Sequence, residues 1–148
     1  MAVFLIAALL PGSSNAQSLC VQLTKGEGGE RSVPVFFGSA MRLRFLHSIH
    51  GSQVEEVFVL QHDGFHLTQV RYGEARLADF YAHENARFDN GVWIVRPTPT
   101  RFPSLTLNSS VDTAMSLHFV YSDGKPLTIQ STGALRLTVA SCKSSAHG

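Results

Sequence analysis

Residues 54–72 read VEEVFVLQHDGFHLTQVRY, and this stretch decides the fold. Two runs of alternating apolar and polar side chains, residues 54–61 and 65–72, lie on either side of Asp63-Gly64. Alternation with a period of two is typical of a half-buried strand, and Asp-Gly between two such runs is a strong signal for a tight turn. The stretch therefore predicts an antiparallel β-hairpin.

The same alternation recurs along most of the chain. It continues in residues 41–48, 116–122 and 134–141, and shorter apolar runs occupy residues 33–37, 91–95, 104–107 and 126–130. Asn90-Gly91 and Asp123-Gly124 supply further turns. Residues 73–90 lack this alternation of apolar and polar side chains, and we expect a short helical turn or a long loop there. We expect an all-β fold, an antiparallel β-sandwich or open barrel of about nine or ten short strands.

Length and composition limit the number of domains and the kinds of binding partner that we expect. A chain of 148 residues with 44% hydrophobic and 16% charged residues is the size of one domain with a real core, which we expect over residues 17–148. Twelve basic residues balance eleven acidic ones, and no cationic run is present. The charge pattern therefore does not indicate binding to nucleic acid or to an anionic membrane.

The first sixteen residues, MAVFLIAALLPGSSNA, are typical of a signal peptide. An apolar block is followed by a Pro-Gly breaker and by Ser14-Asn15-Ala16, a small-x-small cleavage motif. We expect cleavage after Ala16 and a periplasmic or secreted product, with no membrane insertion of the mature chain. The alternative is a short buried N-terminal segment, because no Lys or Arg precedes the apolar block.

Cys20 and Cys142 lie near the two ends of the mature region, each in a short strand-like run. In an oxidising compartment a disulfide is the natural interpretation, and two free buried thiols are the alternative.

The turn also predicts a polar corner. A two-residue turn at Asp63-Gly64 makes His62 and Phe65 the closing pair, so that Glu56 faces Arg71 on the side of the sheet that carries the apolar residues. A four-residue loop over residues 49–52 brings His47 to the same side. The corner is either an ion pair that fixes strand register or a pocket for an anionic ligand. A three-residue turn would instead pair Arg71 with Glu55 and move the cluster to the solvent face.

Metal binding and catalysis have weaker signals. The pair His47-x-x-His50 spans a strand end and its loop, and His62-x-x-x-His66 brackets a hairpin turn, so neither is a helical pair that directs two imidazoles toward one metal ion. The motif G-x-S-x-G, which would present a serine nucleophile, is absent from the sequence. We therefore expect a protein that is not an enzyme, with no catalytic residue, metal or cofactor. The alternative function is a small periplasmic metal-binding or hydrolytic protein that uses His47, His50, Glu56 and His83.

The order of short motifs resembles a bacterial family, Domain of Unknown Function family 1850. The motifs are Phe45, His47, Ser48 and Ile49, then Glu55 to Phe58, then Arg71-Tyr72, then Gly91 to Trp93. The resemblance extends over roughly residues 19–97 and implies a small exported β domain, often encoded beside TAXI-type TRAP transporters. It implies a TRAP membrane subunit or solute-binding protein as partner and a small organic anion as ligand.

The resemblance directs attention to His47, Ser48, Glu56 and Arg71 as ligand-binding residues. One departure affects this expectation. Family members usually carry Gly-Ala-Gly with Met-Pro after the Arg-Tyr pair, where this chain has residues 74–80, EARLADF. A ligand pocket shaped by that glycine loop would be altered here.

Overall fold

The structure, a computed structural model, describes residues 18–26, 29–121 and 123–142, and it is all-β. The predicted signal peptide, residues 1–16, lies outside these ranges. The strands are β1 Leu19–Lys25, β2 Gly29–Val35, β3 Ala40–Leu46, β4 Gln53–Gln61, β5 Gly64–Tyr72, β6 Arg87–Asp89, β7 Val92–Val95, β8 Thr100–Phe102, β9 Ser104–Ser109, β10 Ser116–Val120, β11 Pro126–Gln130 and β12 Gly133–Ser141. A six-residue helix, α1 (Ala75–Phe80), and a 3₁₀ turn at Val111–Thr113 complete the elements.

The strands form two antiparallel sheets that do not close into a barrel. The small sheet has the order β2-β1-β12-β9. The large sheet has the order β11-β10-β3-β4-β5-β7-β6, and β8 pairs with the start of β5. The prediction of an all-β antiparallel fold is confirmed, although the described residues hold twelve strands rather than nine or ten.

The main core lies between the two sheets. Leu19 and Val21 of β1 and Leu137 of β12 have no exposed surface and pack in one cluster with residues of the large sheet. The large sheet contributes Met41, Leu43, Phe58, Leu60, Phe65, Leu117 and Phe119 to this cluster. We call the face of the large sheet that carries these residues the inner face. Because side chains alternate along each strand, the residues between them lie on the opposite, outer face.

The helix α1 covers another part of the inner face. Leu77 and Ala78 of α1 pack with Val54, Tyr72 and Val95 in a second buried cluster. The expectation of a short helical turn within residues 73–90 is thus confirmed. No helix in the described ranges is long and apolar enough to cross a membrane.

The β4–β5 turn begins one residue earlier than the Asp63-Gly64 signal predicts. Gln61 pairs with Gly64, so His62 and Asp63 are the two turn residues. Gly64 has φ +128°, and a β-carbon there would collide with the carbonyl oxygen of Phe102 and lie 2.9 Å from the Cα of Pro103. Glycine is required at this position because the backbone of β8 passes directly over it.

A β-bulge then changes the register of β5. Phe58 pairs with Leu67, but the next residue, Val57, pairs with Gln69, which leaves Thr68 without a partner. The extra residue shifts the alternation of β5 by one position. Phe65, Leu67 and Val70 therefore all lie on the inner face, whereas Gln69 and Arg71 lie on the outer face.

The other predicted turns lie where the sequence places them. Asn90 and Gly91 join β6 to β7 in a two-residue turn with φ values of +47° and +87°. Positive φ at both positions is typical of a type I′ turn and explains the Asn-Gly pair. Asp123 and Gly124 lie in the connection between β10 and β11.

A disulfide joins Cys20 in β1 to Cys142, directly after β12. The two Cα atoms are 4.9 Å apart, because β1 and β12 are neighbouring antiparallel strands that pair over seven residues. The predicted disulfide is confirmed.

Candidate functional site

The structure separates Glu56 from Arg71. Glu56 pairs with Leu43 and Val70 on the inner face, whereas Arg71 pairs with Glu55 on the outer face. The predicted corner of His47, Glu56 and Arg71 is therefore wrong in register. The earlier turn and the bulge at Thr68 together produce the Glu55–Arg71 pairing, which the three-residue turn alone would also have produced.

The outer face instead holds a carboxylate between two guanidinium groups, which we call the arginine corner (Arg44, Glu55 and Arg71). Arg44 Nε donates to Glu55 Oε2, and Arg71 Nη1 lies 3.2 Å from Glu55 Oε1. Arg71 Nε also donates to Gln69 Oε1 at 2.9 Å. The Glu55 side chain is only 8% exposed, while those of Arg44 and Arg71 retain 39% and 35%. The carboxylate is thus enclosed and the guanidinium groups face solvent.

A pocket of about 210 Å³ lies at this corner. Its lining adds Gln53, Tyr72, Gly73 and Val92 to the three charged residues. With two arginines and one glutamate, the charged side chains of the pocket carry a net charge of 2 − 1 = +1. A cavity of this sign with solvent-facing N–H donors is suited to a carboxylate or a similar small anion.

Cross-strand pairing extends the basic character of the outer face. Arg44 pairs with Ser116 on one side of the corner, and Arg71 pairs with Ile94, which in turn pairs with Arg87. In the next row Arg42 pairs with His118. Burial, and then the charge of Arg44, lowers the pKa of His118.

His47 and Ser48 occupy different environments from Arg71. His47 is 6% exposed, and its Nδ1 accepts the backbone N–H groups of Ile49 and His50 at 3.3 and 3.4 Å. Its ring stacks on that of His50 at 5.1 Å and meets the edge of Phe80 at 5.2 Å. Ser48 is exposed in the turn that follows β3. His47 therefore holds the loop against α1 and lies apart from the arginine corner.

The departure from the family motif has a visible structural role. Glu74, which precedes α1, accepts a hydrogen bond from Ser52 Oγ and pairs with Arg76 Nε. These two contacts, the Ser52 hydrogen bond first, lower the pKa of Glu74. In place of the glycine loop that the sequence resemblance implied, this chain has a side-chain network that joins the His47 loop to the start of α1.

Glu56 lies on the inner face in a less polar environment. Burial raises the pKa of its carboxyl group. Burial, then the charge of Tyr81 and then that of Glu56 raise the pKa of the Tyr72 phenol. Burial, and then the charge of Glu56, raises the pKa of the Tyr81 phenol. The Tyr72 and Tyr81 rings stack at 5.7 Å between β5 and α1.

Metal ligation has no geometric support within the part of the chain that the structure describes. No group of three His, Cys, Asp or Glu side chains in those residues converges as a metal site would require. The His47 and His50 rings contact each other and aromatic side chains rather than a common centre.

Several residues of the site were missed from sequence. Arg44 belongs to the arginine corner, and Ser52 and Glu74 belong to the loop network; Glu55 entered the sequence analysis of the site only as the alternative partner of Arg71. The alternation in residues 41–45, MRLRF, does place Arg42 and Arg44 on the polar face of β3, and this was the available signal for Arg44.

The family model of a domain of unknown function, DUF1850, matches residues 41–125. This is more than half of the 148 residues. The chain belongs to this family. The matched region begins within β3 and ends just before β11, so it includes the arginine corner, Glu56 and the His47 loop. A search of curated proteins and a search of solved structures each found no match.

Proposed function

We propose that this chain is a non-catalytic binding module that holds a small organic anion at the arginine corner. The observation that carries the proposal is the surplus of guanidinium donors around a single enclosed carboxylate. Glu55 accepts one N–H group from each arginine. Two positive charges therefore meet one negative charge in a solvent-open pocket of about 210 Å³.

The unused donors favour a planar anion. A guanidinium group has five N–H donors in a fixed plane, which suits a carboxylate held by two parallel hydrogen bonds. Among the described residues, the terminal nitrogens of Arg44 and Nη2 of Arg71 donate to no protein acceptor. Glu55 keeps both side chains in place, so a ligand would meet arginines that are already oriented.

The wider role that we propose is an exported accessory protein of an organic-anion uptake system. It is supported by the signal-like N-terminus and by membership of the DUF1850 family, together with the expectation from the sequence resemblance that such proteins are encoded beside TAXI-type TRAP transporters. The proposed partner is a TRAP membrane subunit or solute-binding protein. Crosslinking of the exported protein in cells should join it to such a subunit, and crosslinks only to unrelated proteins would contradict the partnership.

Calorimetry with purified protein tests the anion site directly. Acetate, benzoate and succinate should bind, and the uncharged amides of the same acids should bind at least tenfold more weakly, because the guanidinium charge is the main attraction. Arg71→Lys retains the charge but loses the paired geometry, so it should weaken carboxylate binding by about tenfold. Arg136→Ala is the matched control, since Arg136 is exposed on β12 in the other sheet.

His118 offers a second readout that does not require a variant. The charge of Arg44 contributes to the low pKa of this imidazole. A bound carboxylate would offset that charge, so the pKa of His118, followed by NMR, should rise when acetate is added and stay constant with acetamide. Equal responses to acid and amide, or no response to any carboxylate, would contradict the proposal.

A further inference from the structure

A cleft opens on the inner face of the large sheet, beside β9. It has a volume of about 290 Å³. Leu43, Phe45 and Glu56 line it from the large sheet, and Thr106–Ser109 of β9 lines it from the small sheet. Met115 also lines it. The lining mixes apolar and polar side chains, and the volume lies just below the range of about 300–1,000 Å³ that is typical of small-molecule sites.

Glu56 is the charged group of this cleft. Whereas Glu55 has two arginine partners, Glu56 has no side-chain hydrogen bond or ion pair among residues 18–26, 29–121 and 123–142. Burial alone raises the pKa of its carboxyl group, which agrees with the lack of a positive neighbour. A half-buried carboxylate without a partner is unfavourable, and a cation placed beside it would remove that cost.

The wall beside Glu56 is the edge of a sheet. β9 pairs with β12 on one side only, so the backbone groups of its other edge have no strand partner within the described chain. Next to the carboxylate, the cleft thus has the edge strand β9, whose carbonyl groups on the unpaired side are available as hydrogen-bond acceptors, and the apolar side chains of Leu43 and Phe45. This combination is complementary to a ligand with N–H donors on one end and an apolar body on the other.

We propose that this cleft binds a small organic amine with an apolar body, whose ammonium group pairs with Glu56. The site is separate from the arginine corner, because Glu56 and Arg71 lie on opposite faces of the same sheet. It also has the opposite charge preference, so the two sites are tested by different ligands.

Benzylamine is a suitable probe, and benzyl alcohol is its uncharged match. Calorimetry or ligand-detected NMR on the purified protein should show that benzylamine binds at least tenfold more tightly than benzyl alcohol. Glu56→Gln should abolish this difference, since the amide keeps the shape and removes the charge. Glu84→Gln, at an exposed position after α1, is the matched control and should retain it.

The location of the bound amine decides between this cleft and other acidic positions. Nuclear Overhauser effects should connect the benzylamine ring to the Met115 methyl group and to Phe45. Arg71→Lys should leave benzylamine binding unchanged, which separates this site from the anion site. Equal affinity for benzylamine and benzyl alcohol, or contacts at a different surface, would overturn the proposal even if Glu56→Gln failed to fold.

Discussion

Glu55 and Glu56 are adjacent in the sequence, yet they have opposite chemical environments. In a strand, neighbouring side chains point to opposite faces, so Glu55 reaches the arginines and Glu56 reaches the cleft. Adjacent residues of one type are thus assigned to different sites by backbone geometry alone.

Glu56→Gln should stabilise the protein at neutral pH. Burial raises the folded-state pKa of Glu56 above its ordinary value of 4.5, so the folded state binds this proton more tightly than the unfolded chain does. The free energy of unfolding therefore falls as the pH rises from about 4.5 through the folded-state pKa. Glutamine does not ionise, and we expect it to raise the unfolding free energy at pH 7 by ~1 kcal/mol, or Tm by about 3 °C.

Urea denaturation at several pH values measures this effect. The difference between Glu56→Gln and the parent should vanish below pH 4, where both side chains are neutral. Glu84→Gln removes the same charge at an exposed position and is the control, which should leave the unfolding free energy at pH 7 unchanged. A variant that is less stable than the parent at pH 7 would contradict the predicted cost of the buried charge.

At the scale of elements, the bulge at Thr68 explains why the core was predicted correctly and the polar corner was not. Phe58, Leu60 and Leu67 lie on the apolar face as their alternation predicts. Arg71 lies beyond the bulge, where the alternation has shifted by one position. A bulge has no reliable sequence signal, since any residue can occupy the extra position, so the face of Arg71 could not be read from the sequence.

Deletion of Thr68 should be tolerated. Every cross-strand pair on either side of the bulge would be kept in a regular ladder, and only the hydrogen bond from Thr68 Oγ1 to the Val57 carbonyl would be lost. We expect the unfolding free energy to fall by about 1 kcal/mol or less. Arg71 would still face Glu55.

Deletion of Val70 is the matched control. The bulge would absorb this deletion too, but Gln69 would then take the place of Val70, which is 6% exposed. Burying an amide there should cost ~2–4 kcal/mol. Urea denaturation compares the two variants, and equal losses would show that the bulge itself, rather than the face of each residue, determines stability.

The short elements were the hardest to predict. β6 and β8 have three residues each, too few for a periodic pattern to be recognised. β8 is held by its passage over Gly64, a close approach that depends on residues nearly forty positions apart. The sequence shows a glycine there, but it does not distinguish a turn glycine from one that makes room for another strand.

At the scale of the molecule, periodicity predicted the antiparallel β class but not the division into two sheets. Which strands share a sheet depends on long-range pairing, such as β1 with β12, whose partners are more than a hundred residues apart. Local patterns contain no information on such partners. The two cysteines were an exception, because a disulfide between them requires their strands to be close.

Removal of the disulfide tests how much this closure stabilises the fold. Cys20→Ser combined with Cys142→Ser should lower the unfolding free energy by about 4–5 kcal/mol, because the crosslink closes a loop of 122 residues in the unfolded chain. The seven pairs between β1 and β12 should keep the native structure intact. Urea denaturation followed by Trp93 fluorescence measures the loss, and a loss below 1 kcal/mol would contradict the prediction.

The position of the disulfide also has a mechanical consequence. Cys20 is the second residue of β1 and Cys142 directly follows β12, so a pulling force applied to the chain beyond them passes through the sulfur–sulfur bond and not through the segment between the two cysteines. Tension would therefore neither separate β1 from β12 nor lengthen the protein while the bond is intact. The arginine corner and the cleft beside Glu56 lie between the two cysteines, so both would keep their geometry under such a load.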